Sequence, residues 1–374
     1  MNSSQSATVP RRLILHAGTH KTASTDIQSR LLRSTAELKR QNLIYRFPDG
    51  GETTFKRLTR AISRERWDHW HDYLESLRHE DGDVLLSAEQ FAPRLTRRST
   101  VDRLQAIAAK HGFELIIVIF IRSQLDYINS RYAYTLKRFY HCETFHSYVE
   151  QVLKGKLPSS GNFTGPNAKR SDVFDFWNYF TVLRQAKASG LDVRFIPFRQ
   201  THADPFMQLL DTLELDPSGA WAASRHDERN KSPGPRGTWL ARQLALRLKR
   251  HEISHRAIEN SSAIIPREER FRRWQDGNYW GFDAELSKQV CQHFKANNNQ
   301  FAKAVWGKSW KKVFIHDRNL QRRPQNTYTP LNLEEWVRMD RIADHLLLRI
   351  NRRLQNRRLH GLRERMERMA SLTI

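Results

Sequence analysis

Residues 12–28, RLILHAGTHKTASTDIQ, predict a strand that passes through a loop of small side chains into a helix. The first five residues form a short apolar strand, and the loop runs from Ala17 to Thr25. Apolar side chains then recur at helical spacing from Ile27 onward, and Thr25 with Gln28 is placed as a capping box. Because the backbone N–H groups of such a loop and the positive end of the helix converge, the stretch predicts an anion site.

Three further strand candidates follow, and helical segments separate them. They are residues 83–87, 114–121 and 192–196. The second is a continuous apolar run of the kind that is buried on both faces of a parallel sheet. Strands that alternate with helices indicate a mostly parallel sheet with helices on both faces. The predicted fold class is therefore α/β, a three-layer P-loop-like domain with a central, mostly parallel sheet flanked by helices, plus a helical C-terminal extension.

The second half of the chain shows mainly helical patterns. These lie near residues 237–259 and 282–305, and residues 333–369 carry apolar side chains at three- and four-residue steps with arginines between them. The sequence predicts an α/β domain over residues 11–310 and a basic helical extension over residues 311–374.

Composition excludes several classes of protein. The chain has 374 residues, 39% of them hydrophobic, and a formal charge of +23. It is therefore neither disordered nor collagen-like. Cys142 and Cys291 are the only cysteines in the sequence, which is too few for a disulfide framework or a zinc ribbon. The longest apolar run, Leu115 to Ile121, is shorter than the ~18 residues of a membrane helix. With no apolar signal stretch at the amino terminus, these features predict a cytoplasmic protein without a transmembrane segment.

The first loop does not fit an ATP or GTP site. The Walker pattern requires a glycine directly before the lysine, whereas His20 precedes Lys21 and Gly18 is the only loop glycine. Such enzymes also need a carboxylate at the end of a neighbouring apolar strand to help bind the metal ion. The best such strand, Leu115 to Ile121, is followed by Arg122 instead. The residues favour a nucleotide with two anionic ends, one at Lys21 and one at Arg122, bound without a metal.

These motifs resemble those of a known enzyme family. Residues 16–28 resemble the 5′-phosphosulfate loop of the sulfotransferases that use 3′-phosphoadenosine 5′-phosphosulfate (PAPS). Arg122 and Ser130, eight residues apart after a buried strand, are similar to that family's 3′-phosphate site. Stretches at residues 195–210 and 230–235 add to the resemblance, which spans about residues 11–237.

The resemblance implies a P-loop sulfotransferase of bacterial or carbohydrate type, with PAPS as the sulfuryl donor and no metal. The residues that it implies for the 5′-phosphosulfate are Lys21, Thr22, Ala23 (through its amide), Ser24 and Thr25, and those for the 3′-phosphate are Arg122 and Ser130. Two features depart from the family pattern. Ala23 stands where many members have glycine, and the glycine-rich C-terminal loop of the cytosolic small-molecule members is missing, which leaves the adenine contacts unassigned.

Sulfuryl transfer is treated by analogy with phosphoryl transfer, in which placement and charge stabilisation dominate. Lys21 is the candidate that meets the charge on the leaving phosphate. Glu89, which follows the second strand, is the candidate general base. His20 is a rival base. A capping role for Glu89 and a structural role for His16 remain alternatives.

The positive charge indicates an anionic partner. From Arg341 to Ile374 there are nine arginines against three acids, which predicts a basic helix that attracts an anionic glycan or another hydroxyl or amino acceptor. There are two alternatives for this helix. Its apolar stripe packs on the main domain while its charges face the solvent, or the helix contacts a membrane surface.

Two further cations, Lys231 and Arg236, are predicted either to bind a ligand or to be exposed loop residues. One competing function is a non-enzymatic polyanion-binding protein that binds nucleic acid by charge, since no sequence-specific nucleic-acid motif is present. The nearest enzymatic alternative is a P-loop nucleotide or sugar kinase.

Overall fold

The chain is α/β, and its strands form one parallel sheet. The computed structural model describes residues 10–156, 174–199, 203–225 and 232–371. The strands are β1 (Arg11–His16), β2 (Leu43–Ile44), β3 (Asp83–Ser87), β4 (Phe113–Ile121) and β5 (Asp192–Pro197). Their order is β2-β3-β1-β4-β5, and each neighbouring pair is parallel. The predicted fold class is confirmed.

Sixteen α-helices accompany the sheet in the described ranges. They are α1 (Ser24–Arg33), α2 (Thr35–Arg40), α3 (Lys56–Ser63), α4 (Asp68–Glu75), α5 (Arg98–Lys110), α6 (Gln124–Lys137), α7 (Phe145–Leu153), α8 (Phe176–Tyr179), α9 (Thr181–Ala188), α10 (Pro205–Thr212), α11 (Pro235–Arg250), α12 (Ser261–Phe271), α13 (Ala284–Trp306), α14 (Trp310–Val313), α15 (Asp317–Arg322) and α16 (Leu333–Ser371). Within these residues, no helix combines the length and the apolar character needed to cross a membrane.

The chain divides into two compact units. The first comprises Met1–Tyr127, Asp172–His226 and Cys291–Leu320, and the second comprises Ile128–Ser171, Asp227–Val290 and Gln321–Ile374. The sheet therefore belongs wholly to the first unit. The boundary that the sequence predicts after residue 310 stays a prediction.

The first unit has three layers because the strands are buried on both faces. On one face, alternate strand residues such as Ile14 and Val118 pack with Ile27 and Leu31 of α1 and with the apolar side of α10. On the other face, α5 contacts β4 and α9 contacts β5. Eight of the nine residues of β4 are buried, as expected for the central region of a parallel sheet.

The second unit is helical, and α16 packs along α11. Met339, Ile342, Leu346 and Ile350 of α16 are buried. Arg247 of α11 donates to Asp344 (Nε to Oδ1, 2.8 Å) and also pairs with Asp340. The apolar stripe that the sequence predicts in the C-terminal helix therefore contributes to the core of this unit, and several of its charged side chains form ion pairs.

The beginning of α1 differs from the prediction. The helix begins at Ser24, its N-cap is Ala23, and no side chain caps it. The capping box of Thr25 and Gln28 is therefore wrong. Gln28 instead donates its side-chain amide to the carbonyl oxygen of Ser87 (3.0 Å), because α1 lies beside the end of β3.

Candidate functional site

The loop after β1 lies where the strand order of the sheet reverses. β1 has β3 on one side and β4 on the other. In open parallel sheets, ligands bind outside the carboxyl ends of the strands at such a switch point. Thr19 Oγ1 donates to the carbonyl oxygen of Phe120 (3.2 Å), and Arg122 Nη1 donates to that of Lys21 (2.6 Å). The structure thus brings the Lys21 loop and the end of β4 together.

The loop takes left-handed backbone conformations at three positions. The φ angles are 31° at Gly18, 67° at Lys21 and 59° at Ala23. For a non-glycine residue this conformation costs about 1–2 kcal/mol, and such residues cluster at functional sites. Left-handed residues in a tight turn are also typical of the backbone nests that bind anions. Ala23, which stands where many sulfotransferases have glycine, therefore occupies a backbone conformation that favours glycine.

Three polar side-chain atoms converge on Gly18. A Cβ atom at Gly18 would lie 3.1 Å from Ser24 Oγ, 3.3 Å from Thr22 Oγ1 and 3.4 Å from His16 Nε2. Ser24 Oγ and His16 Nε2 are buried, and neither has a hydrogen-bond partner within the described chain. Because a buried polar atom without a partner is costly, these two atoms fit a ligand that carries hydrogen-bonding oxygens.

His16 is held in its neutral form. Burial lowers the pKa of His16 to about 4, against the opposing effect of the Glu89 charge. Its Nδ1 lies 2.8 Å from Ser87 Oγ. When the Ser87 hydroxyl donates to Nδ1, the proton resides on Nε2, which is then a donor at the cradle formed around Gly18. His16 Nδ1 thus has a partner within the protein, as expected for a structural histidine, whereas Nε2 is left for a ligand.

The remaining loop residues predicted for the donor differ in their surroundings. Thr22 is fully buried, and its hydroxyl donates to the carbonyl oxygen of Thr19 (2.6 Å). Thr25 is exposed on the first turn of α1, and Ala23 is half-buried. Of the three predicted hydroxyl groups, Ser24 has the geometry that best fits an anion, since it is buried and faces Gly18.

The two candidate bases lie side by side. Glu89 begins a short 3-10 helix, Glu89–Phe91, after β3, and His20 lies in the loop after β1. His20 Nδ1 is 3.2 Å from Glu89 Oε1. The Glu89 side chain is 30% exposed and that of His20 is 12% exposed. Glu89 is therefore the more accessible of the pair, and His20 is placed to orient it.

Arg122 is fixed by its own helix and by the loop. Nε and Nη2 donate to the two carboxylate oxygens of Asp126 (2.7 and 2.8 Å), and Nη1 donates to the carbonyl oxygen of Lys21. A guanidinium has five N–H donors, so one remains on Nη1 and one on Nη2. Two N–H groups of Arg122 are therefore left as charge-assisted donors for a phosphate.

Ser130, the second residue predicted for the 3′-phosphate, lies on α6 and is buried. Arg122 belongs to the first unit and Ser130 to the second, although α6 runs continuously from one to the other. Joint binding of a phosphate by Arg122 and Ser130 stays a prediction.

Sequence reasoning missed one cation at the edge of the sheet. Arg199 follows β5, and its guanidinium carbon is 5.0 Å from the ring centroid of Phe198. The Arg122 guanidinium carbon is 5.2 Å from the same ring. Burial, together with the charge of Arg122, lowers the pKa of Arg199. Because Arg122 is paired with Asp126, Arg199 is the arginine of the two that adds positive charge beside the ring, of the kind that attracts phosphate.

The two loop cations that the sequence singles out in the second unit are Lys231 and Arg236. Lys231 lies outside the described residues. Arg236 binds Asp276 through Nε (2.8 Å) and Nη2 (2.6 Å), and its backbone N–H donates to the same carboxylate (3.0 Å). Arg236 therefore stabilises the start of α11 within the second unit.

The described residues contain no group of three His, Cys, Asp or Glu side chains that could hold a metal ion. Comparison of the chain with protein-family models, with curated proteins and with solved structures finds no match. The function is therefore inferred from the geometry of the site.

Proposed function

We propose that the chain is a PAPS-dependent sulfotransferase, which moves a sulfuryl group to a hydroxyl or amino group of a carbohydrate. The observation that carries the proposal is the hydrogen bond of 2.6 Å from Arg122 Nη1 to the carbonyl oxygen of Lys21. It holds the Arg122 guanidinium against the backbone of the Lys21 loop at one edge of the sheet. A nucleotide with two anionic ends suits this edge, and the residue that follows β4 is an arginine rather than a Walker carboxylate.

The residues of the site fit the two ends of such a donor. The Lys21 ammonium, the loop amides, Ser24 Oγ and His16 Nε2 suit the 5′-phosphosulfate. The two remaining N–H groups of Arg122, together with Arg199, suit the 3′-phosphate. The chain therefore offers groups for both ends of the proposed donor.

The donor, when bound, supplies a sulfuryl group on a phosphate leaving group for in-line attack by the acceptor oxygen or nitrogen. Glu89 accepts the proton of the acceptor, and His20 holds the Glu89 carboxylate in position. Lys21 and Ser24 stabilise the negative charge that grows on the phosphate. Each well-placed donor of this kind contributes about 3–4 kcal/mol.

The wider setting is proposed on the charge and cysteine content of the chain. A net charge of +23 suits an anionic glycan as the acceptor. Cys142 and Cys291 are free thiols, which suits a reducing, cytoplasmic location. Peripheral membrane contact through the basic C-terminal helix is the alternative use of that charge.

Thermal unfolding tests the proposal. The protein is heated with adenosine 3′,5′-bisphosphate in the presence of EDTA and, separately, with ATP and Mg²⁺. A ligand at one hundred times its Kd stabilises by about 2.7 kcal/mol, so the bisphosphate is expected to raise the Tm clearly. A rise with ATP and Mg²⁺ alone favours a kinase. No rise with either nucleotide contradicts both enzymes and favours a non-enzymatic polyanion-binding protein.

A further inference from the structure

α3 carries a row of cations on its exposed side. Lys56, Arg60 and Arg64, the C-terminal cap residue of the helix, are exposed and spaced four residues apart. In the part of the chain that the structure describes, none of these three side chains has an ion-pair or hydrogen-bond partner. Four residues advance an α-helix by about 6 Å, so the charges follow one another along one side of α3 at that interval. α3 itself contains no acidic residue.

The buried side of α3, opposite to this row, packs toward the segment that carries the candidate base. Trp70 of α4 is fully buried and donates its ring N–H to the carbonyl oxygen of Leu58 in α3 (3.2 Å). The same ring lies 5.9 Å, centroid to centroid, from that of Phe91, the last residue of the 3-10 helix that Glu89 begins. α3 also contacts that 3-10 helix directly. The buried side of α3 therefore packs toward the segment that carries Glu89, and the cation row lies on the other side of the helix.

Two further cations follow Glu89 along the chain. Arg94 donates its backbone N–H to the carbonyl oxygen of Phe91 (2.8 Å). Its guanidinium is half-buried, and its buried Nε has no partner within the described residues. Burial and the charge of Arg97 lower the pKa of Arg94. Because a partly buried charge is costly without a counter-charge, this pair of arginines suits an anionic ligand.

The chemistry of α3 discriminates among polyanions. The helix is described along its whole length, and its exposed side has neither an aromatic nor a large apolar side chain. It therefore lacks the stacking platforms with which proteins bind single-stranded nucleic acid. It also lacks the apolar side chains that insert into membrane surfaces. A linear polymer that carries anionic groups at regular intervals and hydroxyl groups between them matches these features.

We propose that Lys56, Arg60 and Arg64, together with Arg94 and Arg97, bind an acidic polysaccharide acceptor. This proposal rests on the proposed sulfotransferase function. It assigns acceptor binding to the first unit, whereas the charge of the sequence alone pointed to the C-terminal helix.

The test compares two charge-reversal variants of equal net charge. One is Lys56→Glu/Arg60→Glu/Arg64→Glu on α3, and the control is Lys288→Glu/Lys295→Glu/Lys303→Glu, at exposed positions of α13. Fluorescence anisotropy measures binding of a hyaluronan oligosaccharide, a neutral dextran oligosaccharide and a single-stranded oligonucleotide. Calorimetry measures binding of adenosine 3′,5′-bisphosphate to each protein.

The α3 variant is expected to bind hyaluronan roughly tenfold or more weakly than the unmodified protein, whereas the control changes by about twofold at most. Bisphosphate binding is expected to be equal in all three proteins, and dextran is not expected to bind. If the α3 variant does not fold, its alanine counterpart at the same three positions, which preserves helix propensity, is expected to weaken hyaluronan binding in the same direction.

Three results overturn the proposal: no binding of hyaluronan, equal losses in the α3 and control variants, or tighter binding of the oligonucleotide with the same dependence on α3. Failure of the sulfotransferase function has a different signature. In that case the bisphosphate does not bind the unmodified protein, while the α3 variant still loses affinity for hyaluronan.

Discussion

Binding of adenosine 3′,5′-bisphosphate is expected to raise the pKa of His16. In the free protein, burial holds this pKa at about 4. Nε2 of His16 faces the cradle at Gly18, where the 5′-phosphate is proposed to bind. A phosphate beside Nε2 favours the imidazolium, so the protonated form becomes stable at a higher pH.

The size of the effect follows from Coulomb's law. One negative charge about 4 Å from the ring contributes about 1 kcal/mol at the dielectric constant of water and about 4 kcal/mol at an effective value of 20. Since 1.36 kcal/mol corresponds to one pH unit, the pKa of His16 is expected to rise into the range of about 5 to 7. In the free protein the same residue lowers stability as the pH falls from about 6.5 to about 4, because the unfolded chain takes up the proton first.

Nuclear magnetic resonance of the imidazole nitrogens measures this directly, with His16→Gln assigning the signal. Direct detection of His16 is needed because the phosphates of the ligand themselves titrate near pH 6, which complicates any pH profile of affinity. His79 is the matched control. It is exposed and precedes the amino end of β3, so its resonances are expected to be the same with and without the bisphosphate. A His16 pKa that remains at about 4 with saturating ligand refutes binding of the 5′-phosphate beside Nε2.

Three substitutions test other parts of the site. Glu89→Gln is expected to slow transfer about 10²–10⁴-fold while sparing bisphosphate binding, as measured by single-turnover kinetics and calorimetry; near-normal turnover would assign the base elsewhere. Ala23→Gly is expected to raise the free energy of unfolding by about 0.5–1 kcal/mol, since relief of the left-handed conformation exceeds the added chain entropy; a lower value in urea denaturation would contradict this reasoning. Gly18→Ala is expected to weaken bisphosphate binding, because its Cβ would lie 3.1 Å from Ser24 Oγ at a φ of 31°; unchanged affinity in calorimetry would exclude the cradle.

The sequence predicts the long, buried elements of the fold well. β1, β3, β4 and β5 carry apolar runs that identify them. The observed bounds of β3 equal the predicted ones, and each of the other three strands is one residue longer than predicted. β2 has two residues, Leu43–Ile44, which is too short for any periodicity to be visible. α12 was missed because Pro266, a residue that usually interrupts helices, lies inside it.

The candidate site is predictable only where its residues follow a strand in a recognisable motif. Lys21 and Arg122 satisfy this condition. Arg199 does not, because its proximity to Arg122 depends on the pairing of β5 with β4, where Phe198 donates its backbone N–H to Ile121 (2.7 Å). The contact of His20 with Glu89 likewise depends on the adjacency of β1 and β3, which pattern analysis of a single sequence does not reveal.

The most direct test of the central claim is calorimetric titration of adenosine 3′,5′-bisphosphate, in EDTA, into the unmodified protein, Lys21→Ala, Arg122→Gln and the double variant. One nucleotide held at both ends without a metal predicts binding to the unmodified protein and a loss of roughly tenfold to a hundredfold in each single variant, as for a charged hydrogen bond worth about 1.5–3 kcal/mol. Full affinity in either single variant, or binding of ATP with Mg²⁺ in place of the bisphosphate, would contradict the claim.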